Sequence, residues 1–255
     1  MLGAGRPVSS GKSPVVLLHS LGLCSEDYRP FIEAARPRCV RSVDLLGHGS
    51  RQTVTPESVT AMADDVWNEI ETSVPVHLVG HSLGGAVAAT LASSHPSAIA
   101  SLAIVASPFA GSPVFLERAR SAEQSGMVPQ IEVTLERWFD ENANPAVVAQ
   151  IESSLEANSV ANWAAAWRAL GNFAGFDRLG LPVEISRRTL CLSSAGDRST
   201  PPQVGAQIVS ALPGSSQVVV AGGGHAGVIE CAQEYADLLR THWDRFEGIE
   251  NEEVQ

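Results

Sequence analysis

With 255 residues, 44% hydrophobic and 18% charged, the chain can bury one large core with room for an inserted subdomain. A formal net charge of −11 argues against nucleic acid and anionic membrane as partners. No apolar run approaches the roughly 20 residues of a membrane span, and residues 1–13 lack the apolar stretch of a secretory signal. The four cysteines, Cys24, Cys39, Cys191 and Cys231, form no CxxC pair. They read as reduced thiols of a cytoplasmic protein, mostly buried in or near strands.

Short apolar or β-branched runs alternate with helical patterns. The order is strand 15–19, helix 28–35, strand 39–43, helix 58–72, strand 76–80, helix 83–95 and strand 102–105. Most of these strands are continuously apolar, as expected of parallel strands covered on both faces. After Ser107 the rhythm breaks. Helical patterns at 112–125, 130–139, 145–157 and 159–170 follow, with no convincing strand, and three of the five tryptophans (Trp138, Trp163, Trp167) fall there. Residues 108–182 read as a helical cap, inserted into a core made of 1–107 and 183–246. Strand 189–193, helix 202–211, strand 217–220 and helix 231–246 complete that core. The tail 247–255 is acidic, has no apolar face and is expected to fray. The alternation predicts a doubly wound, mainly parallel α/β sheet.

Two nucleotide-like strings fall short of their motifs. Residues 5–13 end in Gly-Lys-Ser but carry Arg6 where a P-loop needs glycine, and they precede a strand instead of following one. Gly222-x-Gly224-x-x-Gly227 follows the last strand, with no further βαβ unit to complete a dinucleotide site. No metal-ligand cluster such as HExxH occurs, so neither a metal nor a cofactor is expected.

The segment Gly80-His81-Ser82-Leu83-Gly84 reads Gly-x-Ser-x-Gly, between an apolar run and an Ala-rich helical run. That is the context of a nucleophile elbow. A serine on so sharp a turn needs small neighbours two residues away on each side. The turn pushes Ser82 Oγ over the sheet end and sets the Leu83 N–H at a helix start, where donors and dipole favour an anion.

A serine hydroxyl needs a histidine to take its proton and a carboxylate to orient that histidine. After Ser82 come His95, His225 and His242. His95 ends the helix after the elbow and faces away, and His242 lies late in an amphipathic helix, where a surface role fits. His225 follows a strand and three glycines on a loop expected to be mobile, and is the well-placed base. Asp197 lies on a loop after a strand, whereas the loop one strand earlier (106–109) has no carboxylate. Its bland reading is a turn or cap residue for helix 202–211. One oxyanion donor is the Leu83 N–H. The second should come from His19-Ser20-Leu21-Gly22, with the Leu21 N–H favoured and Ser20 the alternative. His19 itself is expected to bond backbone.

Together, Gly-His-Ser-Leu-Gly-Gly, the loop Asp44-Leu45-Leu46-Gly47-His48-Gly49, Gly196-Asp197 and Gly224-His225 resemble the α/β-hydrolase superfamily over nearly the whole core. The chain is most similar to 3-oxoadipate enol-lactonases, through its Ser20-Leu21-Gly22 loop, Arg137-Trp138-Phe139 and Asn144-Pro145. Two departures stand out. Leu46 replaces the Arg frequent in the Asp-x-Arg-Gly-His-Gly loop. Only eighteen residues precede His19, so the family's first β-hairpin should be absent or rudimentary and the sheet should start at strand 39–43.

The resemblance implies hydrolysis of an ester or lactone through an acyl-enzyme, with 3-oxoadipate enol-lactone as substrate in aromatic catabolism. Such a carboxylate-bearing small molecule needs a cation, for which Arg118, Arg120, Arg137, Arg168 and Arg198 are candidates, although each reads more readily as a solvated helix charge. Arg137, Trp138, Trp163 and Trp167 are the expected substrate-binding residues. A carboxylesterase, C–C bond cleavage on the same triad and a slow-hydrolysing receptor are the alternatives. A homo-oligomer is left open.

Overall fold

A computed structural model describes residues 12–70, 72 and 74–247. Six strands form one sheet: β1 (Val15–Leu18), β2 (Val40–Val43), β3 (Val76–His81), β4 (Ile99–Val105), β5 (Thr189–Ser194) and β6 (Ser216–Val220). Their order is β2-β1-β3-β4-β5-β6, and every pairing is parallel. Every residue of β1, β3, β4 and β5 is buried, as their unbroken apolar runs require. The edge strands β2 and β6 mix polar residues into the run and are partly exposed.

Parallel strands need crossovers, and the helices supply them. They are α1 (Arg29–Ala34), α2 (Val59–Glu69), α3 (Leu83–Ser94), α4 (Pro113–Ser125), α5 (Val128–Trp138), α6 (Pro145–Glu156), α7 (Val160–Gly171), α8 (Val183–Arg187), α9 (Pro202–Ala211), α10 (Gly227–Glu230) and α11 (Ala232–Asp244). Ser58, Ser112, Asn144 and Ser159 start α2, α4, α6 and α7 by accepting a backbone N–H of the first turn. Helix α3 is small and apolar all round and is buried from Leu83 to Ala92. It packs on β1, β3 and β4 at the middle of the sheet.

Helices α4 to α7 run between β4 and β5 with no strand among them. No strand precedes β1 among the described residues, and β2 is the edge; residues 1–11, where a first hairpin would lie, are outside the described part. The chain runs from β1 outward to β2 and then back to β3 on the other side. That reversal opens a crevice beyond the carboxyl ends of β1 and β3, the place where open α/β sheets take ligands.

Several expectations need correction. Of the cysteines, Cys191 alone is buried; Cys39 is exposed, Cys24 and Cys231 are half-buried, and all four are free thiols. Helices α8 and α10 have five and four residues, too short to show a period in sequence. Of the tail expected to fray, Glu247 is bound by Arg38, by the Ser13 N–H at 3.1 Å and by His77 Nε2 at 3.3 Å; residues 248–255 lie outside the described part. No helix of the described residues is long and apolar enough to cross a membrane.

Candidate active site

The elbow is built from backbone strain. Ser82 has φ 54° and ψ −114°, far from the regions open to ordinary L-residues. Its N–H donates to the Val105 carbonyl at 2.8 Å, and its carbonyl accepts from Ser107 Oγ at 2.8 Å. The flanking glycines are steric necessities. A Cβ on Gly80 would lie 2.2 Å from the Gly84 carbonyl oxygen, and one on Gly84 would lie 2.2 Å from that of Leu18.

Asp197 and His225 converge from the loops after β5 and β6. His225 Nδ1 donates to Asp197 Oδ2 at 2.9 Å. The other oxygen, Oδ1, accepts the Ser199 N–H at 2.7 Å and the Thr200 N–H at 2.9 Å. Burial pushes the Asp197 carboxyl up, but the charge and hydrogen bond of His225, with the Thr200 donors, outweigh it and hold it well below the usual carboxylate range. With Nδ1–H on the carboxylate, Nε2 carries the ring's lone pair. His225 and Ser82 line the same cleft.

The loop expected to be mobile is firmly tied. The His225 N–H donates to the Trp138 carbonyl at 3.0 Å, and its carbonyl accepts from His81 Nε2 at 2.9 Å. Because a carbonyl only accepts, His81 carries its proton on Nε2. Its Nδ1 must then accept from the Tyr28 hydroxyl at 2.5 Å. The Tyr28 oxygen in turn accepts the Ser20 N–H at 3.0 Å. One chain of hydrogen bonds with fixed polarity thus joins the loop after β1, the elbow and the histidine loop. Burial, with the neighbouring His225, lowers His81 to about 3, so it stays neutral.

The Ser20 N–H is committed to Tyr28, so of the two donors expected from that loop only the Leu21 N–H is left to face an incoming oxygen. Gly22 just beyond has φ +85°, and a Cβ there would meet the Trp163 ring at 2.6 Å. His19 bonds backbone as expected: its Nδ1 donates to the Ser20 carbonyl at 2.8 Å and its Nε2 accepts the Leu45 N–H at 2.8 Å. Asp44 anchors the neighbouring loop through the Ser25 and Ser50 N–H groups at 2.7 and 2.8 Å.

Of the other expected residues, Arg137, Trp138 and Trp167 line the cleft. Trp163 does not. It is 2% exposed, packed edge-on beneath Trp167 with ring centroids 6.0 Å apart. Among the candidate cations, Arg118 joins Arg137 at the cleft. Arg168 pairs with Glu123, Arg120 is exposed, and Arg198 binds the Glu136 and Phe139 carbonyls. His95 stacks on Trp67 at 3.9 Å, away from the site. His242, expected at the surface, is 6% exposed, and burial lowers it to about 4; its helix turns that face onto the core.

Two residues went unread in the sequence. Tyr28 is one; Thr200 is the other. Thr200 Oγ1 lies 2.8 Å from the Ala106 carbonyl, 2.7 Å from Asp197 Oδ2 and 3.2 Å from His225 Nδ1. A Thr three residues beyond the acid, where it can turn back on the carboxylate, was the available signal for the second. The arrangement can raise the nucleophilicity of a hydroxyl, hold a negative oxygen and exclude water by its apolar walls.

The model of the Alpha/beta hydrolase family matches residues 15–238, and the chain belongs to that family. It is 29% identical to a pimeloyl-acyl-carrier-protein methyl ester esterase from Neisseria meningitidis serogroup C, over 92% of this chain and 94% of that protein. Among solved structures it is similar to a thermophilic esterase from Thermogutta terrifontis (TM-score 0.83, 24% identity, 92% of this chain and 90% of that one). An enol-lactonase from Burkholderia xenovorans LB400 is also similar (TM-score 0.81, 22% identity, 94% of each chain). At these identities the solved structures speak for the fold alone.

Proposed function

We propose that the chain is a serine hydrolase that cleaves carboxylic esters through an acyl-enzyme on Ser82. The observation that carries this reading is the Asp197–His225 pair, 2.9 Å apart, opening onto the cleft that the strained Ser82 also lines. Ser82 Oγ attacks the ester carbonyl carbon as His225 Nε2 takes its proton. The oxyanion is held by the Leu83 and Leu21 N–H groups. The carbon–oxygen bond to the leaving alcohol breaks as His225 returns the proton to that oxygen. Water then attacks the acyl-enzyme, His225 again moving the proton, and the acid departs. Helices α4 to α7 serve as the cap that closes the cleft. The free thiols fit a cytoplasmic setting.

Relatives named as pimeloyl-acyl-carrier-protein methyl ester esterases, matched along nearly their whole length, favour a methyl ester of an acyl chain. The 3-oxoadipate enol-lactone expected from the sequence is the second substrate reading, favoured by the cationic wall of the cleft. A panel of short methyl and aryl esters, with that enol-lactone, tests both. Repeated turnover of an aryl ester that Ser82→Ala abolishes is the expected result. Release of a single equivalent of product would point to a slow receptor, and turnover by Ser82→Ala would end the reading.

A further inference from the structure

The cleft beside Ser82 gathers cations without a carboxylate partner and one unpaired N–H. Arg118 and Arg137 both line it. Among the described residues neither guanidinium comes within 4.0 Å of a carboxylate, whereas Arg38, Arg41, Arg51, Arg168 and Arg240 each do. Arg137 is steered by its own helix: Nε donates to the Val133 carbonyl at 3.1 Å and Nη2 to Thr134 Oγ1 at 3.2 Å. Arg118 lies over the Trp167 ring at 4.7 Å and that of Phe115 at 5.5 Å, which fixes its plane. Trp167 adds a third donor. The residue is 8% exposed, lines the same cleft, and its indole Nε1 has no hydrogen-bond partner. An indole N–H can only donate, and a buried donor left unpaired is costly.

On the reading of Ser82 as nucleophile, we propose that Arg118, Arg137 and the Trp167 N–H bind a carboxylate carried by the substrate, so that the enzyme selects small esters bearing a free carboxylate on the acyl or the alcohol side. Two guanidiniums with no carboxylate partner and an unpaired N–H define an anion site, and a planar two-oxygen anion matches the guanidinium fork. Both arginines, Trp167, Ser82 and His225 line one cleft, so the reactive carbonyl and the anion belong to one molecule. The local charge supports this. Burial and the nearby Arg137 lower Arg118 to about 10, and burial lowers Arg137 against the opposing pull of Asp197. An incoming carboxylate relieves that unfavourable pairing. The chain's net charge of −11 repels anions at long range, so selection comes from these local donors.

The test compares matched probes at pH 7.5, corrected for spontaneous hydrolysis. Mono-p-nitrophenyl adipate against p-nitrophenyl hexanoate places the charge on the acyl side; 4-acetoxybenzoate against phenyl acetate places it on the alcohol side. In one of the two pairs kcat/KM should favour the anion by roughly tenfold to a hundredfold, mainly through KM, and the advantage should shrink with added salt. Arg118→Gln and Arg137→Gln should each move the ratio toward one, and Trp167→Phe should lower it several-fold. On the wild-type enzyme, adipate should inhibit hydrolysis of the neutral ester while its dimethyl ester does not, a comparison that needs no variant to fold. A ratio near one in both pairs, or no inhibition by adipate, overturns the anion site while leaving the hydrolase intact. Absence of turnover on the neutral esters would instead remove the Ser82 reading beneath it.

Discussion

Mild acid should strongly destabilise this protein, and the size of the effect follows from its histidines. Five of the seven sit where burial keeps the ring neutral. Burial lowers His48 and His81 to about 3 and His77 and His242 to about 4, and lowers His19 in the same sense. In the unfolded chain each returns to about 6.5. Between pH 7.5 and 5.5 the unfolded state therefore takes up protons that the folded state refuses, and stability falls with pH. For each ring with a folded value near 4 or below, the loss across that interval is about 1.4 kcal/mol, so four rings remove about 5 kcal/mol and His19 adds to it. A whole domain holds only about 5–15 kcal/mol. Carboxylates held low, such as Asp44 and Asp197, lose their contribution only as pH falls further, below about 4, so this window isolates the histidines. Urea unfolding followed by tryptophan fluorescence at the two pH values measures the loss, and the proton uptake on unfolding at pH 5.5 should be about four or more. A loss under about 1 kcal/mol, or uptake below about one proton, would refute the picture of buried neutral rings.

Four substitutions probe the site and its surroundings. Tyr28→Phe strands two buried groups, the Ser20 N–H and His81 Nδ1, and should cost about 2–4 kcal/mol in denaturant unfolding. Tyr235→Phe, where the hydroxyl meets Ser194 Oγ at 2.8 Å, should cost about 1 kcal/mol, and equal losses would contradict the relay. Asp197→Asn keeps the shape but removes the charge that fixes the His225 tautomer; kcat on an aryl ester should fall by about 10³–10⁴-fold, and a fall under about tenfold would free Asp197 of that role. Gly84→Ala drives a Cβ to 2.2 Å from the Leu18 carbonyl and should cost about 3 kcal/mol or more, read as a large drop in Tm; an unchanged Tm would mean the elbow is not so tightly held.

What could be read in sequence was what short stretches decide by themselves. All six strands lie close to their expected positions, because an apolar β-branched run between turn residues has few other uses. The elbow was legible because its strain is local and only glycine relieves it. The limit came wherever a side chain's neighbour lies far along the chain. Nothing near Tyr28 announces His81, 53 residues away. Helical periodicity sets Trp163 and Trp167 on an inward face but does not say which of them meets the cleft and which the Gly22 turn. His242 follows the same logic: the amphipathic pattern of α11 was visible, but its packing direction depends on Trp243 and Leu239 being buried beside it.

The end of α5 has a consequence for the reacting loops. Its last carbonyls are fastened to both reacting loops: Trp138 to the His225 backbone at 3.0 Å, and Glu136 and Phe139 to Arg198 beside Asp197. That helix cannot lift without pulling on the loops that carry Asp197 and His225. The opposite side is held by side-chain amides and hydroxyls: Asn158 on the Gly22 carbonyl at 2.8 Å, Asn162 on that of Gln52 at 2.7 Å, and Ser154 on Asp27 at 2.6 Å. Because Asn158 grips the residue next to Leu21, the segment joining α6 to α7 and the loop after β1 are coupled, and a disturbance of one is felt in the other.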